Sequence, residues 1–349
     1  MDRRQFLLAG LAAPFTRPSC AFAGDPIFIG DMHAHLFFVG PRPADKQPLG
    51  KSMAGGGATL ATWSLVGDQP WLTIARGGFK QKGSPKSGEA STWLREELAR
   101  VKTHIAEQKL KIVLGANDID AALKGDPHVV LAVEGATFLD DGIGELKSAY
   151  DAGVRVVQLV HYARNPIGDF QTEKPEHKGL TDFGKKSVAE CNRLGVLIDL
   201  AHCTNETVAD ALALSKVPVI WSHSSVTRDR TPDWSMPVWQ ARQLSLKGAK
   251  AITDKGGVVG LWALGADVGK TPESYAARLL EMADWLGDDH VAFGTDMNAL
   301  SNPAISSYAD LARVVRILEE RKIPEVRIRK LAIENYARVL KAAFAARAA

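Results

Sequence analysis

The sequence is poor in cysteine, with only 3 in 349 residues. Cys20 lies in an N-terminal segment that is expected to be removed, which leaves Cys191 and Cys203. Two cysteines are too few to hold a small domain together by disulfide bonds, so a disulfide-based fold is excluded. We expect both to be buried packing residues, with a disulfide between them as the lesser alternative.

The chain also lacks a net charge of one sign. It carries 43 lysines and arginines against 40 acidic residues. Without residues 1–23, which contain three arginines and one aspartate, the balance is 40 against 39, or +1. A near-neutral net charge argues against a basic surface for nucleic acids or anionic membranes, so neither partner is expected.

The apolar run near the N-terminus, residues 6–13, is far shorter than the roughly 20 residues that span a bilayer. It follows a basic start that contains Arg3-Arg4, and it precedes Ala21-Phe22-Ala23, a small-residue cleavage site. Residues 1–23 therefore predict a signal peptide of the twin-arginine type. We expect a periplasmic protein with a single domain at 24–349 and no stable membrane anchor.

Most of the remaining sequence alternates between amphipathic helices and short apolar runs of the kind found in parallel strands buried on both faces. Eight strands are predicted, at residues 27–29, 111–115, 128–133, 154–159, 196–200, 217–221, 258–261 and 290–293. Eight such α/β units close most simply into a (β/α)8 TIM barrel. The residues after 308 predict extra C-terminal helices that pack on its outside.

One long segment, at about 36–90, interrupts this pattern. It is rich in glycine, proline and aromatic residues and shows no helical period. Loops of this length inside a compact domain are usually functional lids or mobile segments. We therefore predict an irregular loop here.

Two histidines, His33 and His35, stand two residues apart at the end of the first predicted strand. On an extended backbone they point to the same side, so both imidazoles can reach one metal ion. An isolated H-x-H motif is a weak signal because it recurs by chance. Here three other predicted strands also end in candidate ligands, at Glu134, His202 and His223. The carboxyl ends of barrel strands meet at one rim, so these residues predict a metal site there.

This ligand set suits two divalent ions, with zinc as the leading candidate. A carboxylate has two oxygens, so Glu134 could bridge two ions that are each completed by two histidines. Asp296, after the last strand, could carry the proton of an activated water, and His161 could stabilise the oxyanion. For either residue alone, an ordinary polar group at a strand end is an equally good interpretation.

Five segments carry a family resemblance: VEGA at 133–136, GLTDFGKKSVAECNRLGVLIDLAH at 179–202, WSHSS at 221–225, GTD at 294–296 and ENYARVL at 334–340. They are similar to the membrane (renal) dipeptidase family of binuclear zinc hydrolases, which belongs to the amidohydrolase-like superfamily. The resemblance implies a barrel, two zinc ions bridged by Glu134, a substrate-contacting His161 and a catalytic Asp296. It also implies an arginine that binds the substrate carboxylate, for which Arg230 is expected and Arg228 is the rival.

The sequence departs from the family pattern at two positions. His35 stands where the family usually has an aspartate in an H-x-D motif, and Asn298 stands where it usually has a second acid. An imidazole in place of a carboxylate adds one unit of positive charge to the site. This change puts the substrate range in question more than metal binding.

The leading functional hypothesis is a metal-dependent dipeptidase that acts on dipeptides or related short amides with a free carboxylate. Its partner would be a dipeptide or another small molecule, and a homodimer is left open. The alternatives are a lactonase or other amidohydrolase, a metal-dependent decarboxylase, and a metal-binding protein without catalysis.

Overall fold

The computed structural model describes residues 25–36, 49–75 and 78–347. Within them, eight parallel strands form a nearly closed barrel covered by helices, which confirms the predicted fold class. Numbered β1 to β8 in chain order, the strands are Ile29–Ala34, Ala58–Val66, His128–Glu134, Val154–Gln158, Leu197–Asp199, Ile220–Ser224, Val258–Leu261 and Val291–Phe293. The predicted signal peptide, residues 1–23, lies outside the described residues.

The barrel closes where the end of β1 meets the end of β8. The backbone N–H of Asp296 donates to the carbonyl oxygen of His33 at 2.9 Å, and that of His35 donates to Met297 at 2.9 Å. The buried carboxylate of Asp31 accepts the backbone N–H of Thr295 at 2.9 Å and its hydroxyl at 2.6 Å. These bonds join the first and last strands into a ring.

The described residues contain ten helices of eight residues or more. Numbered α1 to α10, they are Leu49–Gly56, Glu89–Glu107, Ala116–Leu123, Gly144–Asp151, Asp182–Leu194, Asn205–Leu214, Leu246–Asp254, Pro272–Leu286, Tyr308–Glu320 and Asn335–Ala345. Five of them begin after a Ser or Thr whose hydroxyl accepts a backbone N–H of the first turn: Thr181, Thr204, Ser245, Thr271 and Ser307. Such N-caps satisfy donors that have no partner within the helix and so mark where each helix starts.

The connections contain shorter elements. The helical ones are Gln69–Trp71, Ala136–Asp141, Val238–Ala241, Gly265–Val268, Glu325–Arg329 and the π-helical Lys330–Glu334. The short strands are Leu72–Ala75 paired with Gly78–Gln81, Val226–Thr227 paired with Leu244–Ser245, and Lys111–Ile112 beside β3.

The prediction of the second strand was wrong. The second barrel strand is β2, nine consecutive buried residues in the segment that was expected to be an irregular loop. Residues 111–115 contribute only Lys111–Ile112, which pairs with the start of β3 off the barrel path. The run ATLATWSLV has the β-branched and aromatic residues of a strand, but its glycine-rich flank obscured it.

The last helix does not pack on the outer wall as predicted. α10 contacts β1, β5, β7 and β8, which lie on different sides of the ring, so it covers one end of the barrel. Asn335, at its start, donates to the carbonyl oxygens of Asp288 and Val291 at the amino end of β8. The opposite end, where the strands finish, is left for the polar residues described below.

The two cysteines behave as predicted. Cys191 and Cys203 are both free and buried, and burial raises the pKa of Cys191 to about 12. Both are therefore neutral packing residues at physiological pH.

The part of the chain that the structure describes contains no helix that is both long enough and apolar enough to span a bilayer.

Gly260 lets β7 approach β6 closely. A Cβ added at Gly260 would lie 1.9 Å from the carbonyl oxygen of Ser222. We expect Gly260→Ala to lower the free energy of unfolding by about 1–3 kcal/mol, because the extra methyl group would force the two strands apart. Urea unfolding followed by circular dichroism measures the change.

Gly55→Ala is the matched control. Gly55 lies in α1, and a Cβ added there meets nothing within 4 Å. The same methyl group should therefore stabilise the protein by about 0.5–1 kcal/mol, since alanine is the better helix former. Equal stabilities of the two variants would contradict the close approach of the strands.

Candidate metal centre

The histidines and acids predicted at the strand ends converge on one buried cluster at the carboxyl rim of the barrel. One histidine lies in β1 and a second directly follows it, and the glutamate is the last residue of β3. The other members lie at or just after the ends of later strands. The members are His33, His35, Glu134, His161, His202, His223 and Asp296, none more than 7% exposed. The barrel thus brings together every predicted site residue except the arginine.

Glu134 lies at the centre of this cluster. Its Oε1 is 3.5, 3.2 and 3.4 Å from the Nε2 atoms of His33, His202 and His223, and its Oε2 is 3.4 Å from Nε2 of His35. Burial alone would raise the pKa of Glu134, but the surrounding imidazoles, His161 foremost, hold it well below its ordinary value. Oε2 has no hydrogen-bond partner although it is buried. An ionised, incompletely bonded buried carboxylate calls for a cation.

The histidines form two pairs whose Nε2 atoms face each other. The distance is 3.1 Å between His33 and His35, and 3.2 Å between His202 and His223. Nδ1 of His35 lies 3.1 Å from the carbonyl oxygen of Ser64, to which it donates, so its Nε2 carries the lone pair in the neutral ring. Each pair therefore places two ring nitrogens side by side, at a spacing from which both could bind one metal ion.

In the part of the chain that the structure describes, three sets of potential ligands have donor atoms within 4.8 Å of one another. They are His33 with His35 and Glu134, His33 with His223 and Asp296, and Glu134 with His202 and His223. The first and last sets share only Glu134. The residues present thus fit metal ions, and the two carboxylate oxygens can serve different sets.

Arg242 is the cation that the structure places beside the second histidine pair. Its Nη1 lies 2.6 Å from Nε2 of His202, and its Nη2 lies 3.1 Å from Nε2 of His223. Burial, reinforced by Arg242, lowers the pKa of His202 well below its ordinary value. Burial, followed by His33 and Arg242, does the same for His223. Both imidazoles are therefore neutral, which is the form that binds metals.

Asp296 stands at the edge of the cluster, with Oδ1 3.2 Å from Nε2 of His35. Its backbone φ is +56°, and His202 and Asn298 also have positive φ, at +72° and +70°. Such values are uncommon outside glycine and often concentrate at functional sites. The amide Nδ2 of Asn298 donates to the carbonyl oxygen of His35 at 2.7 Å, so the residue in place of the usual acid supports the end of β1.

His161 is held by a second buried acid, Asp68. Nδ1 of His161 donates to Oδ1 of Asp68 at 2.7 Å, while its Nε2 lies 3.5 Å from Oε1 of Glu134. The other oxygen of Asp68 accepts the backbone N–H groups of Tyr162 and Ala163 at 3.1 and 2.8 Å. Burial tends to lower the pKa of His161, but Asp68 and then Glu134 raise it above its ordinary value. The ring is thereby fixed with Nε2 toward the cluster.

Two residues of the site were not found from the sequence. Asp68 follows β2 and was missed because that strand was taken for a loop, although the strand-forming residues of ATLATWSLV before Gly67-Asp68 were an available signal. Arg242 lies just after the short helix Val238–Ala241, where no strand end marks it. The sequence offered no comparable signal for it.

The structure does not bring the predicted arginine to the cluster. Arg230 and Arg228 instead line a different cavity of about 670 Å³, together with Arg278 and Trp285. The guanidinium of Arg228 lies 5.2 Å from the ring centre of Trp285. Arg242 is the arginine that the structure places in contact with the histidines, and the assignment of Arg230 as the carboxylate anchor stays a prediction.

Comparisons with known proteins identify dipeptidases as relatives of this chain. A dipeptidase from Schizosaccharomyces pombe, itself described as uncharacterized, is 29% identical over 249 residues, which is 66% of this chain and 57% of the relative. Dipeptidase tcpJ from Claviceps purpurea is 28% identical over 220 residues, 61% of this chain and 50% of the relative. The chain thus spans about half the length of these curated relatives.

Solved structures support the fold. An amidohydrolase from Pseudomonas aeruginosa has a TM-score of 0.73 and 22% identity, covering 91% of this chain and 97% of the other. A metallo peptidase from Rhodobacter sphaeroides, liganded with a phosphinate mimic of the dipeptide L-Ala-D-Ala, has a TM-score of 0.72 and 20% identity, covering 91% and 100%. At these identities the similarity establishes the barrel alone.

The family assignment comes from the sequence itself. Residues 79–349, the greater part of the chain, match the family model described as membrane dipeptidase, peptidase family M19. The match contains Glu134, His161, His202, His223 and Asp296. This chain therefore belongs to the membrane dipeptidase family.

Proposed function

We propose that the protein is a metal-dependent dipeptidase that holds two divalent ions, with zinc as the first candidate. Its substrates are dipeptides or related short amides with a free carboxylate. The observation that carries the proposal is the pair of facing histidines on each side of the buried Glu134. His33 and His35 would hold one ion, His202 and His223 the other, and Glu134 both.

Bound ions would lower the pKa of a water molecule and polarise the scissile carbonyl. The chain supplies the groups that move protons. Asp296 lies at the edge of the cluster, where its carboxylate accepts the proton of the attacking water and passes it to the leaving amine. Asp68 raises the pKa of His161, and in its protonated form His161 donates from Nε2 to the developing oxyanion.

Arg242 replaces Arg230 as the proposed carboxylate anchor. Its guanidinium is buried against the histidine cluster, so a carboxylate bound there would lie next to the reacting groups. Guanidinium and carboxylate match in a two-bond geometry, which fixes the orientation of the substrate. A lactone has no such carboxylate, and this difference favours a dipeptide over the lactonase alternative.

The first test is metal content. Elemental analysis should give a metal-to-protein ratio near two, and Glu134→Ala should reduce both occupancies together because the carboxylate serves both ligand sets. Glu190→Ala, on the outer helix α5, removes a carboxylate far from the cluster and should leave the ratio unchanged. Retention of one fully occupied ion in Glu134→Ala would argue against the shared ligand.

The second test concerns Asp296. Asp296→Asn keeps the shape and most of the metal but removes the proton acceptor, so kcat should fall by about 10²- to 10⁴-fold with a much smaller change in KM. Steady-state kinetics on a dipeptide, alongside metal analysis, measures both quantities. Asp254→Asn, at an exposed position of α7, serves as control. Near-normal kcat with both metals bound would show that another group, His161 first, moves the proton.

The third test separates the two arginines. Arg242→Ala should raise KM by about 10- to 100-fold, because hydrogen bonds between charged groups contribute about 1.5–3 kcal/mol. Arg230→Ala should leave KM within about twofold. The wild type should also prefer a dipeptide over its C-terminal amide, and Arg242→Ala should lose that preference. The opposite ranking of the two variants would return the anchor to Arg230.

A further inference from the structure

A cavity of about 810 Å³ opens at the carboxyl rim of the barrel, within the usual size range of small-molecule sites. Besides the buried Trp262, six large apolar side chains among the described residues line it: Ile74, Phe79, Val238, Trp239, Leu264 and Leu300. None of the six is buried, and Ile74 is 74% exposed. Single exposed apolar residues are ordinary, but six around one cavity form a patch that a ligand would cover.

Separate segments form the walls and fix their spacing. The hairpin of Leu72–Ala75 and Gly78–Gln81 stands on one side, and the short helix Val238–Ala241 stands beside it. Gly78 has φ +138°, and a Cβ added there would lie 3.4 Å from Cγ1 of Val238. The hairpin and the helix are therefore in contact, so the cavity is a built feature of the rim.

The cavity adjoins the metal centre directly. Three further lining residues contact members of the cluster. Arg242 donates to Nε2 of His202, the ring of Tyr162 lies 4.9 Å from that of His202, and Asn298 donates to the carbonyl oxygen of His35. A molecule that reacts at the cluster would extend into this cavity.

Arg242 is the one charged side chain among the described residues that line the cavity. In a dipeptide, the carboxylate and the C-terminal side chain are attached to the same carbon. A carboxylate on Arg242 therefore brings that side chain to the apolar walls. We propose that the cavity is a specificity subsite for a large apolar C-terminal residue, such as leucine or phenylalanine. This proposal rests on the proposed dipeptidase function.

The test compares two series of dipeptides. The kcat/KM for Ala-Leu and Ala-Phe should exceed that for Ala-Gly by about 10- to 200-fold, the range that one apolar pocket provides. In the reversed series, Leu-Ala and Gly-Ala should differ by no more than a few fold. Similar values along the Ala-X series, or a preference confined to the reversed series, would overturn the subsite.

Ile74→Ser tests the wall without disturbing the core, because Ile74 is already exposed. It should lower kcat/KM for Ala-Leu by about 3- to 10-fold and leave Ala-Gly unchanged, since part of the apolar contact is lost. Val326→Ser is the matched control, because Val326 is a β-branched residue 66% exposed on the remote helix Glu325–Arg329. Equal effects of the two variants would overturn the role of Ile74.

Calorimetric binding keeps the two proposals apart. If the metal-loaded protein hydrolyses no dipeptide but binds Ala-Leu at least tenfold more tightly than Ala-Gly, the dipeptidase proposal fails and the subsite stands. Hydrolysis of every Ala-X at a similar rate, with similar affinities, leaves the dipeptidase and removes the subsite. Neither binding nor hydrolysis of any dipeptide overturns both.

Discussion

The closure of the barrel between β1 and β8 is the constraint on which the site depends. The hydrogen bond from the backbone of Asp296 to His33 belongs to the barrel, yet it also sets the proposed proton acceptor beside the first pair of histidines. The buried bonds from Thr295 to Asp31 tie the same two strands one step deeper, and burial raises the pKa of Asp31 to about 6. Barrel closure and site assembly are thus one structural event.

This closure also brings the first strand to the site, although that strand lies before residue 79, where the family match begins. His33 and His35 lie outside the matched region, and so does Asp68. Their contacts with Glu134 and His161 are nevertheless as short as those within the matched part. The geometry of the ring, in which every strand ends at the same rim, brings the two parts of the chain together.

The fold class and the metal ligands could be predicted because both depend on local patterns: apolar runs of strand length and the polar residue that ends each run. The total of eight strands was right although one strand was misplaced, since Lys111–Ile112 was counted and β2 was not. Asp68 was missed because it follows β2, the strand that was not predicted. Arg242 could not be predicted in this way, because its place depends on how a loop folds over the rim, and spacing along the chain carries no information about that.

Charge balance connects these parts. Three buried acids, Glu134, Asp296 and Asp68, face the five imidazoles and Arg242. The imidazole of His35 in place of a carboxylate makes the site more positive than the family pattern would. A positive site favours a substrate with a free carboxylate.

Arg242 couples metal binding to substrate binding, because it donates to the same lone pairs of His202 and His223 that a metal ion would use. A metal ion bound to His202 and His223 would displace the guanidinium from these two nitrogens. The charge of Arg242 would then be buried and unpaired, which costs free energy. A substrate carboxylate would satisfy it, so metal binding and carboxylate binding should strengthen each other.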